Sequence, residues 1–273
     1  MDRILLFIPM YNCEKQIPRV LAQLRGGAAA YITAAIVVNN RSTDGSEQAV
    51  VDYLNDNAPR VPVTLLRNDD NYNLGGSHKV AFQYALDNGF DYVVVFHGDD
   101  QGRLDDFLPL FQSGEYKKYD AVLGSRFMKG SQTPGYSAGR KLGNYVFNAL
   151  FSVMTLRRVR DIGSGLNLYR AAVFADGVHL RFYDDLIFNC HSLLYLYDQK
   201  RRVRFYPISW REEDQISNAA PFKQARQIFR MLLTYVFTRR TLFTKDYRAK
   251  PVAAYTSAQI YPEKAHGVEC HEG

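Results

Sequence analysis

The chain has 273 residues, of which 47% are hydrophobic and 23% charged, a composition that suits a folded globular protein and excludes a disordered or fibrous one. Its net charge of +6 is concentrated: residues 200–250 carry 13 Lys/Arg against 4 Asp/Glu, or +9, which leaves −3 elsewhere and points to an anionic partner for that segment. Cys13, Cys190 and Cys270 are scattered, so reduced thiols in a cytoplasmic compartment fit better than a disulfide framework; the apolar run before Pro9 is too short for a secretory leader, and no run reaches the roughly 20 apolar residues of a membrane span.

In chain order, short β-rich runs alternate with helical patterns, the sequence form of a parallel sheet wrapped by helices. Strands are predicted over Arg3–Ile8, Ala35–Val38, Val61–Leu66, Tyr92–Phe96 and Asp120–Leu123, and helices over Lys15–Leu24, Ser46–Leu54, Ser77–Leu86 and Leu104–Phe111. The second half is less regular, with turns at 130–139 and 161–165 and helices predicted over Lys141–Met154 and Asp185–Tyr197. Beyond Pro207, the residues Phe222, Ala225, Phe229, Leu232 and Val236 repeat at helical spacing with Lys223, Arg226 and Arg230 on the flank, and from Ala249 no periodicity is left. One large domain with a C-terminal elaboration is expected.

Polar clusters follow the first, second and fourth strands, where a parallel sheet gathers its chemistry. The run VVVFHGDDQG ends a buried strand in carboxylates, and a divalent cation is one way to stabilise them: Mg²⁺ or Mn²⁺ takes oxygen ligands, often only one or two from protein. Asp99 and Gln101 alternate along that loop; the competing reading is a solvated turn or helix cap. NNRSTDGS caps a helix and offers Asn39 and Asn40 to a ribose or base edge. Asn71–Gly76 precedes a helix, where anions are favoured, but matches neither the P-loop nor GxGxxG. Arg126, Arg140 and Arg211 suit a pyrophosphate jointly, whereas singly each reads as a surface ion pair.

Taken in order, IPMYN with Ile17-Pro18, VVNNRSTDGS, NYNLGGSHKVAFQYAL, VVVFHGDDQ, GSRF, DIGSGLNLYR and PISWR resemble a family 2 glycosyltransferase of the GT-A fold, in the polyprenyl-phosphate, dolichol-phosphate mannose synthase-like branch. The resemblance covers residues 4–218 and implies an α/β fold with a mostly parallel central sheet flanked by helices: a GT-A catalytic domain at 1–218, a basic amphipathic helical extension at 219–248 and an irregular tail at 249–273. It implies an inverting transfer of a hexose from a UDP- or GDP-linked sugar, assisted by Mg²⁺ or Mn²⁺, to a polyprenyl-phosphate or glycan acceptor. By the same resemblance Pro9, Tyr11, Asn12, Asn39, Asn40, Gly76, Lys79 and Gly98 lie at the nucleotide sugar, Asp99 and Gln101 at the metal, Arg126, Arg140 and Arg211 at the diphosphate or an acceptor phosphate, and Ser164 and Gly165 at the sugar. Asp185 takes the place of the general base. Three positions depart from the family pattern: His97 stands for the first acid of its DxD, Cys13 for the acid after Tyr-Asn, and Asn39 for the acid at the second strand tip. His97 ligates the metal in one reading and only packs in the other.

A lipid phosphate acceptor arrives ionised and needs no base, whereas a sugar hydroxyl does. In the competing reading, Asp184 and Asp185 simply cap the helix that follows. The basic helical segment 222–243 is expected at an anionic membrane surface, making the enzyme peripheral on the cytoplasmic face, or else packed on the catalytic domain or another subunit. A catalytically silent nucleotide- or glycan-binding scaffold is the rival class. No nucleic-acid module is recognisable, and oligomeric state is not legible.

Overall fold

A computed structural model of the chain describes residues 2–214 and 221–262, and of 221–223 the backbone alone, so the side chains of Phe222 and Lys223 lie outside the described residues, as does Cys270. Strands β1 (Ile4–Met10), β2 (Ala34–Asn39), β3 (Val63–Asn68) and β4 (Tyr92–Phe96) lie parallel in the order β4-β1-β2-β3. They read as near-continuous apolar runs because helices cover both faces; every residue of β1 is buried. Leu5, Phe7, Val93 and Val95 face one core with α3 (Asn73–Asp87), α5 (Ala138–Thr155), α6 (Phe188–Asp198) and α7 (Pro221–Phe237). Leu6, Ile8, Val94 and Phe96 face the other with α1 (Ile17–Ala22), α2 (Ser46–Asp56) and α4 (Leu108–Gln112).

Three more strands enlarge the sheet, of which the sequence pattern marks only the first. β5 (Ala121–Ser125) pairs antiparallel with β6 (Leu166–Arg170) and parallel with β7 (Val203–Pro207), and β6 pairs antiparallel with β4. At the far edge β8 (Ser257–Tyr261) pairs antiparallel with β3, giving the order β7-β5-β6-β4-β1-β2-β3-β8. This corrects the expectation of an irregular tail beyond Ala249. Ser-Ala-Gln-Ile-Tyr carries no strong pattern of its own and becomes a strand through its partner.

Helix boundaries shift for identifiable reasons. The single helix expected over Leu104–Phe111 is a 3₁₀ turn at Leu104–Phe107 followed by α4, with Pro109 in its first turn, where a missing N–H costs nothing. α6 begins at Phe188 rather than at Asp185, because Asp185 forms the preceding turn: its Oδ1 accepts the Ile187 N–H at 2.9 Å and its carbonyl the Phe188 N–H at 3.1 Å. The periodic face of α7 is divided, with Leu232 inside the core and Phe229 and Val236 outside. A short helix α8 (Arg239–Thr244) follows. Among the described residues no helix is long and apolar enough to cross a membrane.

Candidate active site

The carboxyl ends of β1, β2 and β4 meet through backbone hydrogen bonds. The Pro9 carbonyl accepts the Gly98 N–H at 3.1 Å, and the Met10 carbonyl accepts that of Asn40 at 2.9 Å. A Cβ on Gly98 would sit 2.8 Å from the Pro9 oxygen, so the approach of the two tips requires glycine there. Asn12 ties the first tip to the second: its Oδ1 accepts the Thr43 N–H at 2.8 Å, and its own N–H donates to Ser42 Oγ at 3.1 Å. Cys13 is buried beneath this junction, where desolvation pushes its thiol up to about 12, so the sulfur stays protonated and cannot stand in for a carboxylate.

Asn39 and Asn40 spend their polar atoms on the loop itself. Asn39 Oδ1 accepts the Ser42 N–H at 2.8 Å, and its Nδ2 donates to Glu47 Oε2 at 2.7 Å, where Glu47 also pairs with Arg67. Asn40 Oδ1 accepts from Asn68 Nδ2 at 3.0 Å and the Tyr72 N–H at 2.8 Å, while its Nδ2 donates to Asn71. The two side chains expected at a ribose or base edge are thus buried braces of the loop. Tyr11, 41% exposed, is the open side chain of this tip.

Beyond β4 the two acids of HGDDQ diverge. Asp100 adopts a left-handed φ of 57°, buries its carboxylate completely and anchors two guanidinium groups. Arg19 Nε donates to it at 2.6 Å, Arg211 Nη2 pairs with it, and Gln23 Nε2 adds a contact at 3.3 Å. Beside this hub lies a cavity of about 380 Å³, lined in part by Arg19, Gln23, Arg103, Asp105 and Arg211. Asp99 remains half-buried, with Oδ1 accepting the Gln101 N–H at 3.2 Å, and desolvation pushes its carboxyl up to about 6. The Gln101 side chain donates to the Arg211 carbonyl at 3.1 Å. The His97 ring lies against Gly165, where a Cβ would come within 2.6 Å of its Cγ and of the Trp210 ring, and 6.4 Å from the ring of His78. Its Nε2 is buried without a hydrogen-bond partner, and burial pushes the imidazole down to about 4.

The three arginines do not form an open cradle. Arg126 is buried in a bidentate pair with Asp161, Nε to Oδ2 and Nη2 to Oδ1 both at 2.7 Å, with Tyr136 and Asn144 as further acceptors. Arg211 is turned to Asp100. Arg140 is exposed and donates to Glu212 at 2.6 Å. Ser164 is buried, its Oγ accepting the Leu166 N–H at 3.2 Å.

Around α3 the structure also departs from expectation. The Gly75 and Gly76 amides donate to the Asp184 carbonyl at 2.6 and 3.2 Å, which engages the helix start considered for phosphate. Lys79, expected at the nucleotide, lies wholly in the core: its three ammonium hydrogens reach the Phe182 carbonyl and Asp184 at 2.7 Å and the Tyr255 hydroxyl at 3.0 Å. Burial pushes its pKa down to about 8. Asp185 follows directly.

The model of glycosyl transferase family 2 matches residues 6–177. The chain belongs to that family. The undecaprenyl-phosphate mannosyltransferase of Micrococcus luteus is 26% identical over 170 residues, 62% of this chain and 67% of that protein. An uncharacterized protein of Methanocaldococcus jannaschii is 26% identical over 168 residues, 62% of this chain and 65% of its own length; the similarity thus spans about two thirds of these relatives. Among solved structures, M. tuberculosis glucosyl-3-phosphoglycerate synthase matches with a TM-score of 0.58 at 15% identity, covering 87% of this chain and 80% of that one. Its complex with Mn²⁺ and UDP-glucose gives 0.57 at 13%, covering 95% and 86%. The architecture is thus GT-A, and the protein is a glycosyltransferase.

Within this glycosyltransferase the Asp100 hub, the Arg126–Asp161 pair and the Lys79–Asp184–Tyr255 cluster are what sequence reasoning misses. Their partners stand 81, 35 and 105 positions apart, and no local spacing signals such pairs.

Proposed function

We propose that this glycosyltransferase moves a hexose from a UDP- or GDP-linked sugar to a polyprenyl phosphate, with inversion at the anomeric carbon and with Mg²⁺ or Mn²⁺ at the tip of β4. The observation that carries the reading is Asp99, a desolvated carboxyl at the junction of three parallel strands. Desolvation disfavours its charged form, and a cation beside it restores the anion. An oxygen donor with the Gln101 amide two residues on fits a hard divalent ion, and the Mn²⁺ and UDP-glucose complex of a fold neighbour supports the same choice. When bound, such an ion neutralises the leaving diphosphate.

The chain's own groups do the rest. Tyr11 and the Pro9–Asn12 tip form the wall for the base, and the backbone braced by Asn39 and Asn40 forms the ribose ledge. Gln101 is held to Arg211, so the β4 loop keeps its shape as the diphosphate arrives. Arg140 borders solvent and exchanges its carboxylate partner for phosphate at modest cost, since exposed pairs are weak, whereas Arg211 leaves the buried Asp100 only at a larger one. His97 packs and shapes the sugar side with Gly165 and Ser164. An acceptor phosphate attacks from the face opposite the leaving group, already ionised, which agrees with Asp185 serving as a turn cap rather than a base. The undecaprenyl-phosphate mannosyltransferase relative supports that acceptor.

The test is release of UDP or GDP from a sugar-nucleotide panel, with and without Mn²⁺, in the presence of a short-chain polyprenyl phosphate. One donor is expected to turn over only when metal and acceptor are both present, and an Asp185→Asn variant to retain most of that rate. Turnover that is indifferent to metal, or abolished by Asp185→Asn, overturns this reading.

A further inference from the structure

After α8 the chain returns to the sheet and joins it as β8, which covers the edge of β3. The stretch between α8 and β8 is pinned on the way. The Tyr247 N–H donates to the Arg181 carbonyl at 2.8 Å, and its ring packs against those of Tyr183 and His191, with centroids 5.1 and 5.3 Å away. Arg248 pairs with Asp246, and its Nη1 donates to the Val252 carbonyl at 2.8 Å, closing a tight loop just ahead of Tyr255.

Tyr255 stands behind the ledge assigned to the ribose. Its ring meets that of Tyr72 edge-on at 5.2 Å, and the Tyr72 N–H donates to Asn40 Oδ1, the brace of the β2 tip. Gly76 makes room for the contact: a Cβ there would lie 2.3 Å from the Tyr72 Cβ and 3.2 Å from Tyr255 Cε1. The Tyr255 hydroxyl accepts from Lys79 at 3.0 Å and donates to Asp184 at 2.6 Å. Burial and that carboxylate push the phenol well above its ordinary value, so it stays a donor. Because the Asp184 carbonyl takes the Gly75 and Gly76 amides, ring and hydroxyl bear on the same loop from two directions. Thr256 holds the start of that loop. Its carbonyl accepts the Asp69 N–H at 3.2 Å, and its hydroxyl donates to the Asp69 carboxylate and lies 3.4 Å from that of Tyr72. The loop 69–76 is thus clasped between Asn40 on one side and residues 255 and 256 on the other.

We propose that Tyr255 is a positioning residue for the donor: with Thr256 it fixes the loop 69–76 behind Asn40, and so sets the shape of the ledge on which the nucleoside of the sugar nucleotide rests. The assignment rests on the donor site proposed above. Tyr255 acts through Tyr72 and Asn40, as a supporting shell acts on a binding constellation. Loosening such a shell weakens donor binding, while an enzyme molecule that has bound its donor still reacts. Loss of fold does the opposite: it lowers the active fraction, and with it kcat, and leaves KM alone.

The experiment measures steady-state release of nucleoside diphosphate by the full chain, well below the melting point of each variant, together with calorimetric binding of UDP and GDP. Tyr255→Leu is expected to raise the donor KM at least about tenfold and to weaken nucleoside diphosphate binding to match, with kcat within about twofold of wild type. Tyr255→Phe keeps the ring on Tyr72, and is expected to melt lower yet hold KM within about threefold. Thr256→Val, at an exposed position, is expected to fold normally and to raise KM about threefold. Ile260→Ala serves as the control: its side chain packs on the core of the other sheet face, so the variant loosens β8 and is expected to melt lower with KM unchanged. A KM that stays put in both Tyr255→Leu and Thr256→Val overturns the proposal. So does a KM that tracks the melting point across all four variants, which makes the segment a cover for the β3 edge and nothing more. Should Tyr255→Leu fail to fold, Thr256→Val decides. A wild type that binds and turns over no sugar nucleotide sinks the donor reading instead. Amide exchange then reads the clasp by itself: the Tyr72 and Gly76 amides of Thr256→Val are expected to exchange at least about threefold faster than in wild type, and equal exchange overturns the clasp.

Discussion

Replacing Asp184 by Asn tests the cluster that holds the 182–185 segment against α3. Lys79 is 0% and Asp184 10% exposed at the side chain, so the Asp184→Asn variant would leave a buried ammonium beside a neutral amide. Removing one partner of a buried pair costs about 3–5 kcal/mol, because the remaining charge stays desolvated. At roughly 2–4 °C per kcal/mol for a chain of this size, the melting point falls by about 10 °C. The pair itself is worth less than that. Burial outweighs the attraction of Asp184 and leaves Lys79 below its ordinary value, so Lys79→Met/Asp184→Leu is expected to lie within about 1–2 kcal/mol of wild type, much closer than Asp184→Asn. Tyr255→Phe, which removes a donor to Asp184 at 2.6 Å, costs about 1–3 kcal/mol. Urea unfolding at constant m value measures all three. If Asp184→Asn loses under about 1 kcal/mol, or the double variant is no better than the single, the buried-charge argument is wrong.

Three further outcomes follow from the same geometry. His179 and His191 are pushed down by burial to about 4 and about 3, below an unfolded value near 6.5. The unfolded chain therefore binds protons first, and each contributes stability that is present above about pH 6.5 and lost at about 1.4 kcal/mol per pH unit below it; urea midpoints at pH 7, 6 and 5 check the slope, and a flat profile contradicts it. Gly98→Ala pushes a Cβ to 2.8 Å from the Pro9 carbonyl, and is expected to cut sugar-nucleotide affinity more than about tenfold by separating the strand tips, read by calorimetry. Asp100→Asn, which loosens Arg19 and Arg211 together, should cost about 2 kcal/mol and lower kcat/KM with the same metal requirement; unchanged stability contradicts the hub.

The fold is legible where the sheet is buried on both faces, because Ile4–Met10 and Tyr92–Phe96 are apolar throughout and cannot be surface elements. It is illegible where pairing decides. β6 and β7 carry no pattern that assigns them, and Ser257–Tyr261 has too little to declare itself without β3. At the site, residue types announce themselves but orientations do not. Asp99 and Asp100 are neighbours in sequence, and only the left-handed turn at Asp100 sends one to two arginines and leaves the other at the strand junction. The arginines are recognisable as phosphate-binding types, yet Asp161 and Asp100, which engage two of them, stand far away in the chain. Lys79 looks like a ligand from its motif and lies in the core, because Asp184 and Tyr255, 105 and 176 positions further on, converge on it.

The most direct check is titration calorimetry of UDP-glucose, UDP-GlcNAc and GDP-mannose into wild type and Asp99→Ala, each with Mn²⁺ and with a chelator. At least one donor should bind wild type at least about tenfold tighter with the ion, and Asp99→Ala should erase that difference while melting normally. Equal binding with and without the ion, or an undiminished ion effect in the variant, contradicts the account.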